Sequence, residues 1–134
     1  MGNSLFFDTN IVLDMIDSSR IHHDNSKLLY IYLLDNNYDI YISEDMLSTI
    51  YYIANDKKVA LAFLKMVEDE WNIVPYGKET IHKALTFSLE NTTDLEDTLQ
   101  CFCAKANGCQ YIITNDRKFV NCGIEIVNYE RFLK

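Results

Sequence analysis

The chain has 134 residues, 49% of them hydrophobic, with four glycines, one proline and a formal net charge of −8. A chain of this length can bury roughly 68–70% of the surface it exposes when unfolded, so residues 1–134 are expected to form a single domain without a structural metal or disulfide. The composition excludes a disordered chain, the want of any apolar run near ~18 residues excludes a spanning helix, and the acidic balance excludes nucleic-acid binding by overall charge alone.

In chain order, Leu5–Phe7 reads as a short buried strand that stops on Asp8. No basic segment precedes it, so no signal peptide is expected. Residues Thr9–Ile16 read as a helix with Ile11, Val12, Met15 and Ile16 on one face. A polar stretch, "DSSRIHHDN", leads to "SKLLYIYLLDNN", a helix expected to close at Asn36 and Asn37. "YDIYIS" alternates as a second strand. Ser43 is placed to cap the helix "EDMLSTIYYIAND", whose first turn carries Glu44 and Asp45. Another helix covers 57–69, "WNIVP" is a third strand, and "KETIHKALTFSLEN" is helical. "DLEDTLQCFCAKANG" is a further helix ending at Gly108. "QYIIT" and "IEIV" are the last strands, and "NYERFLK" is a terminal helical turn. About five short strands separated by helices predict a three-layer α/β/α fold with a mainly parallel sheet.

The cysteines, Cys101, Cys103, Cys109 and Cys122, match no common zinc spacing and are expected as free thiols in a cytoplasmic protein. His22, His23 and His82 read as surface or loop residues. The aromatic helices "LLYIYLL" and "IYYIA" suit core packing or a homodimer interface better than stacking platforms for bases.

The acids carry the chemistry. In parallel α/β sheets, functional groups gather beyond the C-terminal ends of the strands. Asp8 follows the first strand, Asp116 follows "YIIT" within two residues, and Asp94 and Asp97 open the helix leading into that strand. Each has a structural reading. Asp8 suits a helix cap, Asp94 and Asp97 an N-cap and an acidic first turn, "TDLE" over 93–96 a capping box, and Asp116 a turn. Their joint placement favours a shared metal site. Clustered carboxylates repel one another and take up protons unless a cation lies between them. Mg2+ and Mn2+ prefer such oxygen ligands.

The segments "FFDTN", "DLEDTLQCFCAKANGCQYIITND" and "DRKF" resemble the PIN-domain nucleases, most of all the small bacterial and archaeal type that includes the VapC toxins. The resemblance covers essentially the whole chain. It implies metal-binding acids at Asp8, Asp97 and Asp116, held directly or through water, with Asp94 as an auxiliary. It also implies that Thr9, Asn10, Thr114 and Asn115 line the same mouth. By their charge, Arg117 and Lys118 are candidates for local positive potential there, and Arg20 is another candidate for RNA contact. One position departs from the pattern. The family's second acid lies about six residues past the strand-ending Ser43, and here that position is Thr49. Glu44 is the possible substitute, displaced by roughly 140° around the helix axis. The expected activity is Mg2+- or Mn2+-dependent endoribonuclease hydrolysis of RNA phosphodiester bonds, as the toxin of a toxin–antitoxin pair with a small antitoxin partner. The alternative is a catalytically impaired PIN-fold module that binds RNA or protein, because of Thr49. A different doubly wound enzyme, such as a phosphotransfer or phosphatase domain, is disfavoured; a phosphatase usually needs a second Asp two residues after the nucleophile, and Asn10 stands at that place.

Overall fold

The computed structural model describes residues 3–133. They form strand β1 (Asn3–Phe7), helices α1 (Thr9–Ile16) and α2 (His23–Asp35), strand β2 (Tyr38–Ser43), helices α3 (Glu44–Ile53) and α4 (Lys57–Val67), strand β3 (Asn72–Val74), helices α5 (Gly77–Asn91) and α6 (Leu95–Ala106), and strands β4 (Tyr111–Ile113) and β5 (Glu125–Val127). A 3-10 turn follows at Tyr129–Arg131. Lys134, the last residue of the expected terminal turn, lies outside the described residues.

The five strands pair in the order β3-β2-β1-β4-β5, every pair parallel. Helices α1 to α4 pack among themselves and α5 packs on α6, which gives the three-layer α/β/α architecture. A parallel sheet covered on both faces needs apolar residues on both sides of its middle strand. The consecutive run Leu5, Phe6 and Phe7 in β1 meets that need, with no solvent exposure. Trp71, just before β3, sits edge-on against Phe7, Tyr30 and Phe63 at ring separations of 5.3–5.8 Å. Burying each such side chain stabilises the fold by roughly 1.5–3 kcal/mol.

The central position of β1 matters most for function. The chain leaves β1 towards β2 on one side, and β4 pairs on the other, with Phe7 in register with Ile113. Beyond the ends of these two strands the backbone stays paired once more, Asp8 N–H donating to Ile113 O at 3.0 Å. Asp8 and Thr114 thus emerge side by side at the point where the connections diverge, the usual location of a ligand crevice.

Several boundaries differ from the sequence expectation. Helix α2 begins at His23, three residues before Ser26. Helix α3 stops at Ile53 rather than continuing to Asp56. The reason is that Asp56 caps α4, its carboxylate accepting from Lys58 N and Val59 N at 3.1 Å each. Ser43 does occupy the N-cap of α3, but its hydroxyl makes no cap bond and donates to Tyr76 OH at 3.4 Å. Gly108 follows α6 at φ +72°, a left-handed geometry that suits glycine and ends the helix as expected.

The expectation of four free thiols is corrected. Cys101 of α6 and Cys122 of the β4–β5 connection form a disulfide with a Cα–Cα distance of 6.1 Å. Residues 101 and 103 point different ways on α6, so Cys103 is left unpaired. Burial pushes the Cys103 thiol up to about 11 and the Cys109 thiol up to about 12, which makes both poor nucleophiles. Among the described residues, no helix is long and apolar enough to cross a membrane.

Candidate active site

Three strand or helix ends converge on a cavity of about 120 Å³. The end of β1 gives Asp8, with Thr9 and Asn10 opening α1; the start of α6 gives Glu96 and Asp97; the turn after β4 gives Asp116. Thr49 and Ile53 of α3 close the remaining side. The volume has room for about four waters, enough for a small ion with part of its hydration shell.

Asp8 is buried and Thr114 holds it, the threonine hydroxyl donating to Asp8 Oδ2 at 2.8 Å. The same hydroxyl accepts from Asp116 N at 3.0 Å. One threonine therefore fixes the carboxylate that follows β1 and the backbone of the turn that follows β4. Burial pushes the Asp8 carboxyl up, the Thr114 hydrogen bond opposes that, and the charges of Asp116 and Asp14 add to the rise. Asp97 is pushed up to about 7, first by desolvation and then by Asp94, Asp8, Asp116 and Glu96. Carboxylates from three separate elements thus feel one another's charge.

Asp94 does not line this cavity. It is the N-cap of α6, its Oδ2 accepting from Asp97 N at 3.0 Å. Its charge still acts on Asp97 from one turn away. Because Asp94 is the cap, the expected box from Thr93 to Glu96 does not form. Thr93 Oγ1 instead bonds Ser88 and Thr98. Thr49 lies where the counted position predicts, facing the cavity from α3. Glu44 is exposed and absent from the cavity wall.

Asn115 and Arg117 line a second cavity of about 430 Å³, which meets the first at Asp116. Arg20 is anchored rather than free. Its Nε donates to buried Asp14 at 2.7 Å and its Nη2 donates to Asn10 Oδ1 at 3.2 Å. Tyr129 OH donates to the other Asp14 oxygen at 2.7 Å, and His23 Nδ1 lies 2.7 Å from Asp14 O. With its oxygen engaged by Arg20, Asn10 keeps its NH2 group to offer to the acidic cavity.

Two residues of this neighbourhood escaped the sequence reading. Glu96 is a fourth carboxylate on the acidic cavity; its carboxyl is pushed up by desolvation and then by Asp8, Asp94 and Asp45. The signal was present in "DLED", where Glu96 directly precedes Asp97, but the capping-box assignment absorbed it. Gln100 is buried one turn after Asp97, with Nε2 donating to Thr9 Oγ1 at 3.2 Å. Its Oε1 finds no partner among the described residues. Spacing of three on a helix puts Gln100 and Asp97 on one face, and that spacing was the available clue.

Among the described residues, no three His, Cys, Asp or Glu side chains stand close enough to ligate one ion together. An ion in this cavity would take one or two carboxylates directly and the rest through water. That is the ordinary manner of Mg2+, which dehydrates reluctantly and leaves positions for phosphate oxygens. The all-oxygen donor set fits a hard divalent cation.

The PIN-domain family matches residues 4–118. The chain is 38% identical to Ribonuclease VapC1 of Aquifex aeolicus, over 98% of this chain and 94% of that protein. Among solved structures, it is similar to VapC20 of Mycobacterium tuberculosis, described as a sarcin-ricin loop cleaving toxin. The TM-score is 0.75 with 13% identity, covering 90% of this chain and 95% of the other. It is also similar to a chain of VapBC2 from Rickettsia felis, solved bound to a DNA fragment from its promoter. There the TM-score is 0.71 with 19% identity, covering 93% and 98%.

Proposed function

This chain belongs to the PIN-domain family, and from that premise we propose that it is an endoribonuclease that hydrolyses RNA phosphodiester bonds at the acidic cavity with Mg2+ or Mn2+. The observation that carries the reading is the convergence of Asp8, Asp97 and Asp116, from three elements far apart in sequence, on one small cavity. The 38% identity to a protein named as a ribonuclease supports the same reaction class.

Asp8, Asp97 and Asp116 would hold the ion, one or two directly and the rest through water, with Glu96 as the fourth carboxylate and Asp94 setting the first turn of α6. When bound, a divalent cation supplies Lewis-acid activation of water and neutralises charge at the phosphate. The remaining work falls to the protein. Thr114 keeps Asp8 oriented and opposes the upward push that burial gives its carboxyl. Asn10, with its oxygen tied to Arg20, presents an uncharged donor to the phosphate. Asn115 and Arg117 receive the backbone beside it without adding negative charge.

The role of a toxin with a small antitoxin partner follows from the likeness to VapC and VapBC proteins, and it belongs to this proposal. So do the homodimer, the single-domain extent and cytoplasmic residence. A second reading, a catalytically impaired RNA- or protein-binding module, is favoured by Thr49 alone. That residue places a hydroxyl on the cavity wall where the family's second acid is expected.

Incubation of the protein with labelled structured RNAs, in Mn2+, Mg2+ or EDTA, separates the two. Metal-dependent cleavage that is lost in Asp8→Asn and Asp97→Asn supports the nuclease. Metal binding without cleavage supports the impaired module, and a gain of activity in Thr49→Glu would then identify the missing group. Glu96→Gln is expected to weaken Mn2+ binding while leaving the urea midpoint in chelator unchanged or slightly raised. An unchanged Mn2+ affinity would remove Glu96 from the site.

A further inference from the structure

The acidic cavity provides for the scissile phosphate but not for a base. We propose that the adjoining 430 Å³ cavity is a subsite for the nucleotide next to the scissile bond, and that Asn121 and Asn128 select bases there by donating to carbonyl acceptors. This rests on the ribonuclease reading above and deepens it.

Size and position come first. Asp116 lines both this cavity and the acidic one, so a phosphate at the acids has its neighbouring nucleotide beside this cavity. Its volume falls in the usual range for small-ligand pockets. Its lining includes Phe119, Ile126 and Val127, apolar surface suited to a base. Its mouth carries Arg117, which has no carboxylate partner among the described residues and suits a phosphate.

The amide orientations decide the chemistry. Asn121 Oδ1 accepts from Gly123 N at 2.9 Å, and Asn128 Oδ1 accepts from Glu130 N at 3.0 Å. A backbone N–H can be met only by the amide oxygen, so these bonds settle which end of each amide is used internally. Among the described residues, the NH2 group of each has no protein partner. Two fixed donors and a guanidinium then bound the cavity, against one carboxylate at Asp116. Such a wall favours an edge with two carbonyl acceptors, as in uracil, over adenine, whose ring-nitrogen acceptors stand beside an N6 donor that the cavity's NH2 groups cannot meet. Reading that edge requires an unstacked base, and hence single-stranded RNA.

The test keeps the fold and reverses the chemistry. In Asn121→Asp and Asn128→Asp the capping oxygen is retained, and a donor becomes an acceptor. Binding of short labelled oligo-U and oligo-A is measured by anisotropy in an Asp8→Asn background, which blocks cleavage. The starting protein is expected to prefer oligo-U. In the double Asp variant the two added charges weaken both oligomers by repulsion, and the ratio of oligo-U to oligo-A affinity is expected to fall by roughly tenfold. Mapping cut sites in the Asp8 protein should show the base beside the cut changing in parallel. Equal losses for both oligomers, or no change, would overturn the subsite while leaving the nuclease intact. If no RNA is bound or cut at all, the ribonuclease reading fails with it.

Discussion

Replacing Asp97 by Asn separates the energetics of the acidic cavity from its chemistry. In the folded chain this carboxyl is pushed up to about 7, chiefly by desolvation and then by Asp94, Asp8, Asp116 and Glu96, against an ordinary value of 3.8. The folded state therefore holds the proton more tightly than the unfolded state does. The contribution of Asp97 to stability is most favourable below about pH 4, declines as pH rises, and is least favourable above about pH 7. Raising a fully enclosed carboxyl this far would cost about 4 kcal/mol. Asp97 is only half-buried and water screens it, so roughly 1–2 kcal/mol is the reasonable figure. The Asn side chain removes the charge and keeps the backbone N–H that Asp94 caps. In chelator at pH 8, Asp97→Asn should therefore exceed the wild type by about 1–2 kcal/mol, or about 3–8 °C in Tm. The gain should vanish near pH 4. With Mn2+ added, the order should reverse, because only the wild type retains the full ligand set and gains stability from binding. Urea or thermal unfolding at the two pH values, with EDTA or Mn2+, reads each arm. A variant no more stable than the wild type at pH 8 in EDTA would refute the account of mutual repulsion.

The Cys101–Cys122 disulfide closes a sequence separation of 21 residues, so reduction, or Cys122→Ser, should cost about 3 kcal/mol; superimposable urea curves with and without reductant would show that the bond does not form in solution. Asp94→Ala removes the cap of α6 and should cost about 1 kcal/mol in urea unfolding; a neutral result would mean the cap is replaced by water. Tyr129→Phe deletes a hydrogen bond to buried Asp14 and should cost about 1–2 kcal/mol, whereas Asp14→Asn should cost more because Arg20 then loses its partner; equal losses for the two would argue against the ion pair.

Much of the fold was legible because its signals are local. Periodicity marked the helices, apolar runs marked the strands, and strand ends marked Asp8 and Asp116. Where local signals compete, the sequence reading erred. Asp56 could continue α3 or cap α4, and only the packed hairpin of the two helices shows that it caps. Both Thr93 and Asp94 are readable as the cap of α6; the Asp94 cap is borne out and the Thr93–Glu96 box is not, which leaves Glu96 free to reach the cavity.

By itself, the sequence determined the alternation of strands and helices, the parallel α/β class, and the acids that follow or precede particular strands. These depend on residues within a few positions of one another. Only the tertiary structure decided that β1 lies between β2 and β4, and with it that Asp8, Asp97 and Asp116 face one cavity with Glu96 included and Glu44 excluded. It likewise decided the disulfide and the burial of Asp14 under Arg20 and Tyr129. Electrostatic repulsion, desolvation and bond formation act over ångströms in space, and contacts between residues 8 and 116 or 14 and 129 leave no mark in the spacing of either segment.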